Sequence, residues 1–138
     1  MKTTLLTVGR ARSPFADAEA HYRKMLGRYL PVEVIEARDD GDLERRLPRG
    51  SLVVALDRGG RSMDSLEWSR WLQRRRLEAR DLCLVVGGPA GIPEPLLARA
   101  DQRISLGRQT MAHQLARVVL LEQLFRAAKI LAGEPYHL

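Results

Sequence analysis

The sequence predicts an α/β fold with a mostly parallel sheet and helices on both faces. Short apolar segments alternate with segments of helical periodicity along the 138 residues, and this alternation is typical of an α/β layered domain. Two of the segments, SLVVAL at 51–56 and DLCLVV at 81–86, are continuously apolar after their first residue. Strands that are covered on both faces in a parallel sheet have this pattern. The length is that of one domain, so we expect a single domain over residues 1–138.

Five strands are expected, at 3–8, 32–37, 51–56, 81–86 and 102–106. The first helix should begin at Ser13-Pro14, with Ser13 as its cap and Pro14 in its first turn, and extend to about Leu30. Asp64 and Glu67 form a capping-box pattern ahead of the next long helix. The polar segment 38–47 has room for one or two helical turns, a short helix is expected at 93–100, and a long one at about 112–131.

The charge is strongly basic, and arginine supplies most of it. The net charge is +6 with a pI near 10.2, and 20 of the 23 basic residues are arginine. Such a pI is one mark of a nucleic-acid-binding protein, although arginine used generally in place of lysine would give the same composition. The triplet Arg74-Arg75-Arg76 favours a solvated helix face over a binding site.

The single cysteine and the absence of long apolar segments predict the cellular compartment of the protein. Cys83 lies inside an apolar strand and is interpreted as a small core residue, which fits a reducing environment. No segment resembles a signal peptide, and no apolar run approaches the ~20 residues that cross a bilayer. We therefore expect a cytoplasmic protein with no membrane association. The scattered histidines and the cysteine predict no metal site.

Glycine follows three of the expected strands, in LDRGG at 56–60, GGPAG at 87–91 and LGRQT at 106–110. Ligands of parallel sheets bind beyond the carboxyl ends of the strands. Neither the dinucleotide fingerprint nor a P-loop is present. A tight turn would explain GGPAG alone. Its repetition at three strand ends favours backbone that approaches a flat ring, such as a nucleoside without phosphates.

Four segments together resemble a known family: LDRGG, LVVGGPAG, ISLGRQTMAHQLARVVLLEQLFRA and the final GEPYH. Across essentially the whole chain, the sequence resembles the bacterial 23S rRNA pseudouridine N3-methyltransferases, the small single-domain branch of the SPOUT methyltransferases. The resemblance implies S-adenosyl-L-methionine as cofactor, a C-terminal trefoil knot, a homodimer, no metal, and methylation of N3 of a pseudouridine in the 23S rRNA of the large ribosomal subunit. The cofactor contacts that it implies are Leu56, Gly88, Leu106, Gly107, Arg108, Gln109, Thr110 and Met111.

The chemistry requires a group that removes the imide proton of the pseudouridine. His137 is our hypothesis for this base, and Tyr136 would orient the base of the substrate or stack on it. His113 and Arg117 lie one helical turn apart and are interpreted, with Arg108, as substrate-binding residues.

Three features depart from the family pattern. Ala112 replaces the usual proline, the stretch between strands two and three is short, and Leu138 replaces a common basic residue. A SPOUT enzyme with a different RNA target, a non-catalytic RNA-binding domain and a small-molecule α/β enzyme therefore remain alternatives. The last helix is apolar on more than one face, which favours a dimer over a central helix in a monomeric core.

Overall fold

The computed structural model describes residues 1–136 and contains a parallel sheet of five strands in the order β2-β1-β4-β3-β5. The strands are β1 (Thr3–Val8), β2 (Val32–Ala37), β3 (Leu52–Ser62), β4 (Leu82–Val86) and β5 (Gln102–Ser105). The helices are α1 (Phe15–Leu26), α2 (Asp40–Leu43, followed by a 3-10 turn at Glu44–Arg46), α3 (Ser65–Glu78), α4 (Glu94–Arg99) and α5 (His113–Leu131). The predicted α/β fold with a parallel sheet is confirmed.

Helices cover both faces of the sheet. Residues of α1, α3 and α5 pack with one set of strand side chains in the larger apolar core, whereas α2 and α4 contribute to a smaller core on the other face. All five residues of β4, at the centre of the sheet, are buried. This double cover explains the continuous apolar runs that the sequence showed, because neither face of the central strands meets water.

Three predicted element boundaries were wrong. Helix α1 ends at Leu26 instead of about Leu30, and Gly27 follows as its C-cap. Ser13 does not cap α1, because the helix begins one residue later than expected, with Pro14 at its N-cap position and no side chain capping it. Strand β3 extends to Ser62 instead of ending at Leu56, since the chain leaves the ladder there and pairs with β5 again from Arg61. The capping box of Asp64 and Glu67 is confirmed, with both of its hydrogen bonds formed.

Helix α5 lies between α1 and α3 over the sheet. Residues Leu120, Leu121 and Leu124 are fully buried within the chain itself, whereas Leu115 is 39% exposed. Most of the apolar surface of α5 is therefore covered by its own chain, as in the central-helix alternative. The homodimer stays a prediction that needs other support.

Charged residues of two segments are less exposed than their patterns indicate. Within the arginine triplet, Arg75 is buried and the Nη2 of Arg76 donates to the carbonyl of Tyr29 at 2.8 Å, so only Arg74 fits the solvated face.

The carboxylate of Asp42 accepts hydrogen bonds from the backbone N–H of Arg38 and from Arg46, and these lower its pKa to about 2.

Burial determines the state of the cysteine. Cys83 is completely buried in β4, and its separation from water raises the pKa of the thiol to about 12. It is a core residue, as the sequence indicated.

Among residues 1–136, no helix combines the length and the apolar character that a membrane span needs.

Candidate active site

Residues from the three glycine-bearing segments, at 56–58, 87–91 and 106–111, meet around one cavity of about 420 Å³ at the carboxyl edge of the sheet. The glycines of the first segment, Gly59 and Gly60, do not line it, because this segment lies within β3 and not at its end. Leu56 and Asp57 come from the middle of β3, residues 87–91 follow β4, and Leu106 and Gly107 follow β5. Because parallel strands bring their carboxyl ends to one edge, segments that are far apart in the sequence become the walls of a single site. The cavity lies where the sequence predicts a ligand.

The glycines after β4 are needed for the turn itself. A Cβ added at Gly87 would lie 2.4 Å from the carbonyl carbon of Gly91, and Gly91 has a φ of +84° that side chains rarely adopt. The N–H of Gly91 donates to the carbonyl of Gly88 at 2.9 Å and closes the turn. The tight-turn explanation is thus correct for these residues, and the turn also forms one wall of the cavity.

The other two walls are joined to each other. Nη1 of Arg58 donates to Oγ1 of Thr110 at 3.0 Å, which links the loop of β3 to the segment that follows β5. The Oγ of Ser105 accepts from the N–H of Gly107 and donates to its carbonyl, at 3.0 and 2.9 Å. Gly107 has a φ of +145°, and a Cβ there would meet open space. This segment is therefore shaped by its own hydrogen bonds.

The structure brings most of the predicted cofactor residues together. The predicted residues that line the cavity are Leu56, Gly88, Leu106, Gly107, Gln109, Thr110 and Met111, joined by His113 from the first turn of α5. Arg108 is exposed and does not line it. Sequence reasoning missed Asp57, Ile92 and Leu97, which also line the cavity. The proximity of Asp57 to a glycine-bearing strand end was the signal that could have identified it.

Helix α5 begins in a normal geometry although alanine replaces the usual proline. Ala112 occupies the N-cap position with a φ of −55°, close to the value of about −65° that a proline ring imposes. The alanine therefore adopts the backbone that proline would enforce, and His113 still reaches the cavity wall.

Arg117 does not face the cavity, in contrast to its interpretation as a substrate-binding residue. Its side chain is 1% exposed and binds Glu19 through Nε at 2.6 Å and Nη2 at 3.0 Å. It also donates to Glu36 at 2.8 Å and to the carbonyl of Gly9 at 3.1 Å. Burial opposes the charge, but the bonds to both carboxylates outweigh it and raise the pKa of Arg117. The guanidinium holds α5 to α1 and to the sheet.

The same network contains Glu36, whose carboxylate also accepts from the N–H of Ala11 at 2.9 Å. Partial burial raises the pKa of Glu36, but the hydrogen bonds from Arg117 and Ala11 dominate and lower it overall. Gln114, next in the helix, bonds to Arg10 and Arg12 through its side chain. The side chains of Gln114 and Arg117 are therefore directed at the loop after β1.

Tyr136 lies far from the cavity of its own chain. Its ring packs edge-on against Phe125 at 5.0 Å, and the guanidinium of Arg126 lies over it at 4.4 Å. Burial, followed by the charge of Glu122, raises the pKa of its phenol. Ala116 is the cavity residue of α5 that lies nearest to Phe125 along the helix, nine residues away, a separation of roughly 14 Å at the helical rise per residue. His137 lies outside the described residues.

Comparison with known proteins identifies the family. Residues 1–137 match the family model described as "Predicted SPOUT methyltransferase". The chain is 40% identical to Ribosomal RNA large subunit methyltransferase H of Gemmatimonas aurantiaca, with 99% of each protein covered. It is 45% identical to the protein of that name from Rubrobacter xylanophilus, with 99% of this chain and 98% of the relative covered. These alignments span 153 and 158 positions, more than the 138 residues of the chain, so the relatives carry insertions.

Solved structures share the fold at low sequence identity. A probable methylase family protein from Haemophilus influenzae covers 99% of this chain and 70% of its own length, with a TM-score of 0.63 and 10% identity. The SpoU methyltransferase AviRb from Streptomyces viridochromogenes, solved with the cofactor AdoMet, covers 89% of this chain and 56% of its own length, with a TM-score of 0.51 and 14% identity. The chain belongs to the SPOUT methyltransferase family, in the group of the ribosomal RNA large subunit methyltransferases H.

Proposed function

We propose that this protein transfers a methyl group from S-adenosyl-L-methionine to N3 of a pseudouridine in the 23S rRNA of the large ribosomal subunit. The observation that carries the proposal is the cavity at the carboxyl edge of the sheet, built from residues of the three glycine-bearing segments. It occurs in a chain that matches the ribosomal RNA large subunit methyltransferases H along nearly its whole length. The reaction would take place in the cytoplasm, on rRNA within the ribosome.

The size and lining of the cavity support S-adenosyl-L-methionine as its ligand. Its volume of about 420 Å³ lies within the range of roughly 300–1,000 Å³ that is common for small-molecule sites. Leu56, Ile92 and Leu106 supply apolar surface for a flat ring. Gly88 and Gly107 have no side chains that would cover their backbone, so their N–H and C=O groups could hydrogen-bond to the edge of the ring.

The residues of the chain would bind and orient the reactants. The sulfonium of S-adenosyl-L-methionine supplies an electrophilic methyl group, so positioning accounts for much of the rate. His113, at the cavity wall, would hydrogen-bond the pseudouridine. His137 remains the proposed acceptor of the N3 proton, with Tyr136 as its neighbour against the substrate base. The trefoil knot implied by the family stays part of the proposal.

The position of Tyr136 supports a homodimer. If the tail acts on the substrate, it must approach a cavity, yet Tyr136 packs on Phe125, roughly 14 Å along α5 from the cavity residue Ala116. A second copy of the chain could bring its tail to this cavity. The exposed Leu115 and the half-buried Val118 and Val119 on α5 provide apolar surface for such a contact. We therefore propose a dimer whose active sites are completed in trans.

Complementation between two inactive variants tests this arrangement. One variant lacks residues 136–138 and keeps its cavity; the other carries Gly87→Ala, which disturbs the cavity turn, and keeps its tail. Each alone should fail to methylate the 23S rRNA of ribosomes taken from a strain without the enzyme, and mixed dimers should recover activity. Recovery is expected because one site in each mixed dimer has an intact cavity and an intact tail from the other copy.

The outcomes separate the parts of the proposal. Mass spectrometry of the rRNA locates the added methyl group, and calorimetry measures cofactor binding by the wild-type protein. Mixed dimers without activity would exclude action in trans. A wild-type protein that binds RNA but neither binds S-adenosyl-L-methionine nor adds a methyl group would instead be a non-catalytic RNA-binding domain.

A further inference from the structure

A second cavity, which we call the arginine pocket, lies between α3 and the edge strand β5. Its volume is about 300 Å³, and its polar lining consists of Arg61, Arg74, Arg75, Arg103 and Gln102, with Trp71 behind them. No aspartate or glutamate lines it within residues 1–136. A pocket surrounded by guanidinium groups is suited to an anion, because guanidinium offers hydrogen-bond donors and no acceptor.

The orientation of Gln102 adds a further donor. The indole Nε1 of Trp71 donates to Oε1 of Gln102 at 2.7 Å. Because indole can only donate, this bond fixes the amide with its oxygen towards the tryptophan. The NH2 group of Gln102 makes no hydrogen bond within the described part of the chain and remains available. The polar groups of the pocket are therefore all donors.

Arg75, in the wall of the pocket, has a hydrogen-bond donor without an acceptor. Its side chain is 10% exposed and packs near the ring of Trp71, with 5.6 Å from Cζ to the ring centroid. One terminal nitrogen pairs with Glu78, but the buried Nε has no hydrogen-bond partner among residues 1–136. A buried donor without a partner destabilises the protein. An anion in the pocket would place acceptor atoms beside the Arg75 side chain, which lines it.

The positive charge of the pocket is only partly compensated. Arg61 lies 3.5 Å from Glu67, and Arg75 pairs with Glu78. Arg74 and Arg103, both exposed, form no ion pair with any residue that the structure describes. Two exposed positive charges thus line a cavity whose wall also includes Arg75, the residue with the unpaired donor.

We propose that the arginine pocket binds a phosphate group of the RNA backbone, beside the active-site cavity. The proposal rests on the proposed function, because RNA is then the polyanion that the protein meets. Ile104 borders the arginine pocket and Leu106 borders the active-site cavity, and extended backbone separates two such residues by roughly 7 Å. An RNA strand with one base in the cavity can therefore place a neighbouring phosphate in the pocket.

The test compares two double variants of the full-length protein. Arg74→Ala/Arg103→Ala removes the two unpaired charges of the pocket. Arg49→Ala/Arg99→Ala removes two exposed charges from another cavity, at the amino end of the strands, whose lining also contains Glu44 and Asp101. RNA affinity is measured over a series of salt concentrations with an rRNA fragment, and cofactor affinity and methylation rate are measured for each protein.

We expect the pocket variant to bind RNA about tenfold more weakly, since removal of a charge-assisted bond has roughly that effect. The negative slope of log affinity against log salt should become shallower, by about 0.7–0.9 for each phosphate that the variant no longer neutralises. The KM for RNA should rise while cofactor affinity is unchanged, and the control variant should match wild type. An Arg103→Glu protein should bind RNA still more weakly than Arg103→Ala.

Equal RNA affinity and salt slope in the pocket variant and wild type would overturn the proposal. Equal losses of RNA affinity in both double variants would also overturn it, because the effect would then be one of net charge. A wild-type protein that binds no RNA would overturn it as well. A wild-type protein that binds RNA through the pocket but transfers no methyl group would leave this inference intact and refute the proposed function.

Discussion

Replacing Arg117 by methionine should strongly destabilise the fold. The guanidinium forms a bidentate pair with Glu19 at 2.6 and 3.0 Å and binds Glu36 at 2.8 Å. Glu19 is only 6% exposed, so Arg117→Met leaves its carboxylate buried without the partner. Removal of one member of a buried pair costs about 3–5 kcal/mol. For a chain of this size, each kcal/mol corresponds to roughly 2–5 °C in Tm, so we expect a decrease of about 10–20 °C.

Thermal and urea unfolding of the variants test this reasoning. Lys2→Met serves as a control, because its pair with Glu33 at 3.1 Å joins side chains that are 62% and 53% exposed and should contribute at most about 1 kcal/mol. Arg117→Met/Glu19→Leu should recover most of the stability, since an apolar pair of similar volume can replace a buried ion pair. An Arg117→Met protein that unfolds like wild type but no longer binds RNA would refute the structural role and restore the role in substrate binding.

Three further predictions concern the turn after β4, the thiol and the acid range. Gly87→Ala should abolish cofactor binding measured by calorimetry, because its Cβ would overlap backbone at 2.4 Å, whereas Gly88→Ala, with neighbours at 3.4 Å, should bind nearly as wild type; equal behaviour would contradict the clash. Cys83 should resist alkylation at pH 8 in the folded protein and react once urea unfolds it, since its pKa is about 12; rapid labelling of the folded chain would argue against its burial. The pKa of Asp42 falls from 3.8 to about 2 on folding, so its contribution to stability is complete above pH 3.8 and is lost as the pH falls to about 2. Asp42→Asn should therefore flatten this part of the curve of unfolding free energy against pH, and an unchanged curve would show that the carboxylate is not paired.

Sequence patterns correctly predicted those strands and helix caps that depend only on residues close together in the chain. Strands 3–8 and 32–37 were predicted with the bounds that the structure has. The Asp64 capping box was also correct, because a cap depends on residues within one helical turn. Ser13 was wrong for a related reason: several residues near a helix start can serve as the cap, and the pattern does not distinguish one position from the next.

The candidate site could be predicted in part. Glycine after three strands indicated a ligand edge, and the cavity lies there because parallel strands end together. The location of Tyr136 on Phe125 could not be predicted, since it depends on how the chain returns along α5 after Gly133. The family resemblance implied the whole segment 106–111 as cofactor contacts, but adjacent residues of an irregular segment point in different directions, and Arg108 is exposed and does not line the cavity.

The order of residues was sufficient to establish a parallel α/β layered protein with a ligand edge, because hydrophobic periodicity and glycine placement are properties of short segments. It could not establish which arginines are buried. Arg75 and Arg117 have the same intrinsic preference for water as the exposed Arg74, and they differ only in what other segments place around them. Folding surrounds Arg117 with Glu19 and Glu36, and it places Arg75 beside Trp71. The free energy of a charge depends on these neighbours, which become adjacent only in the folded chain.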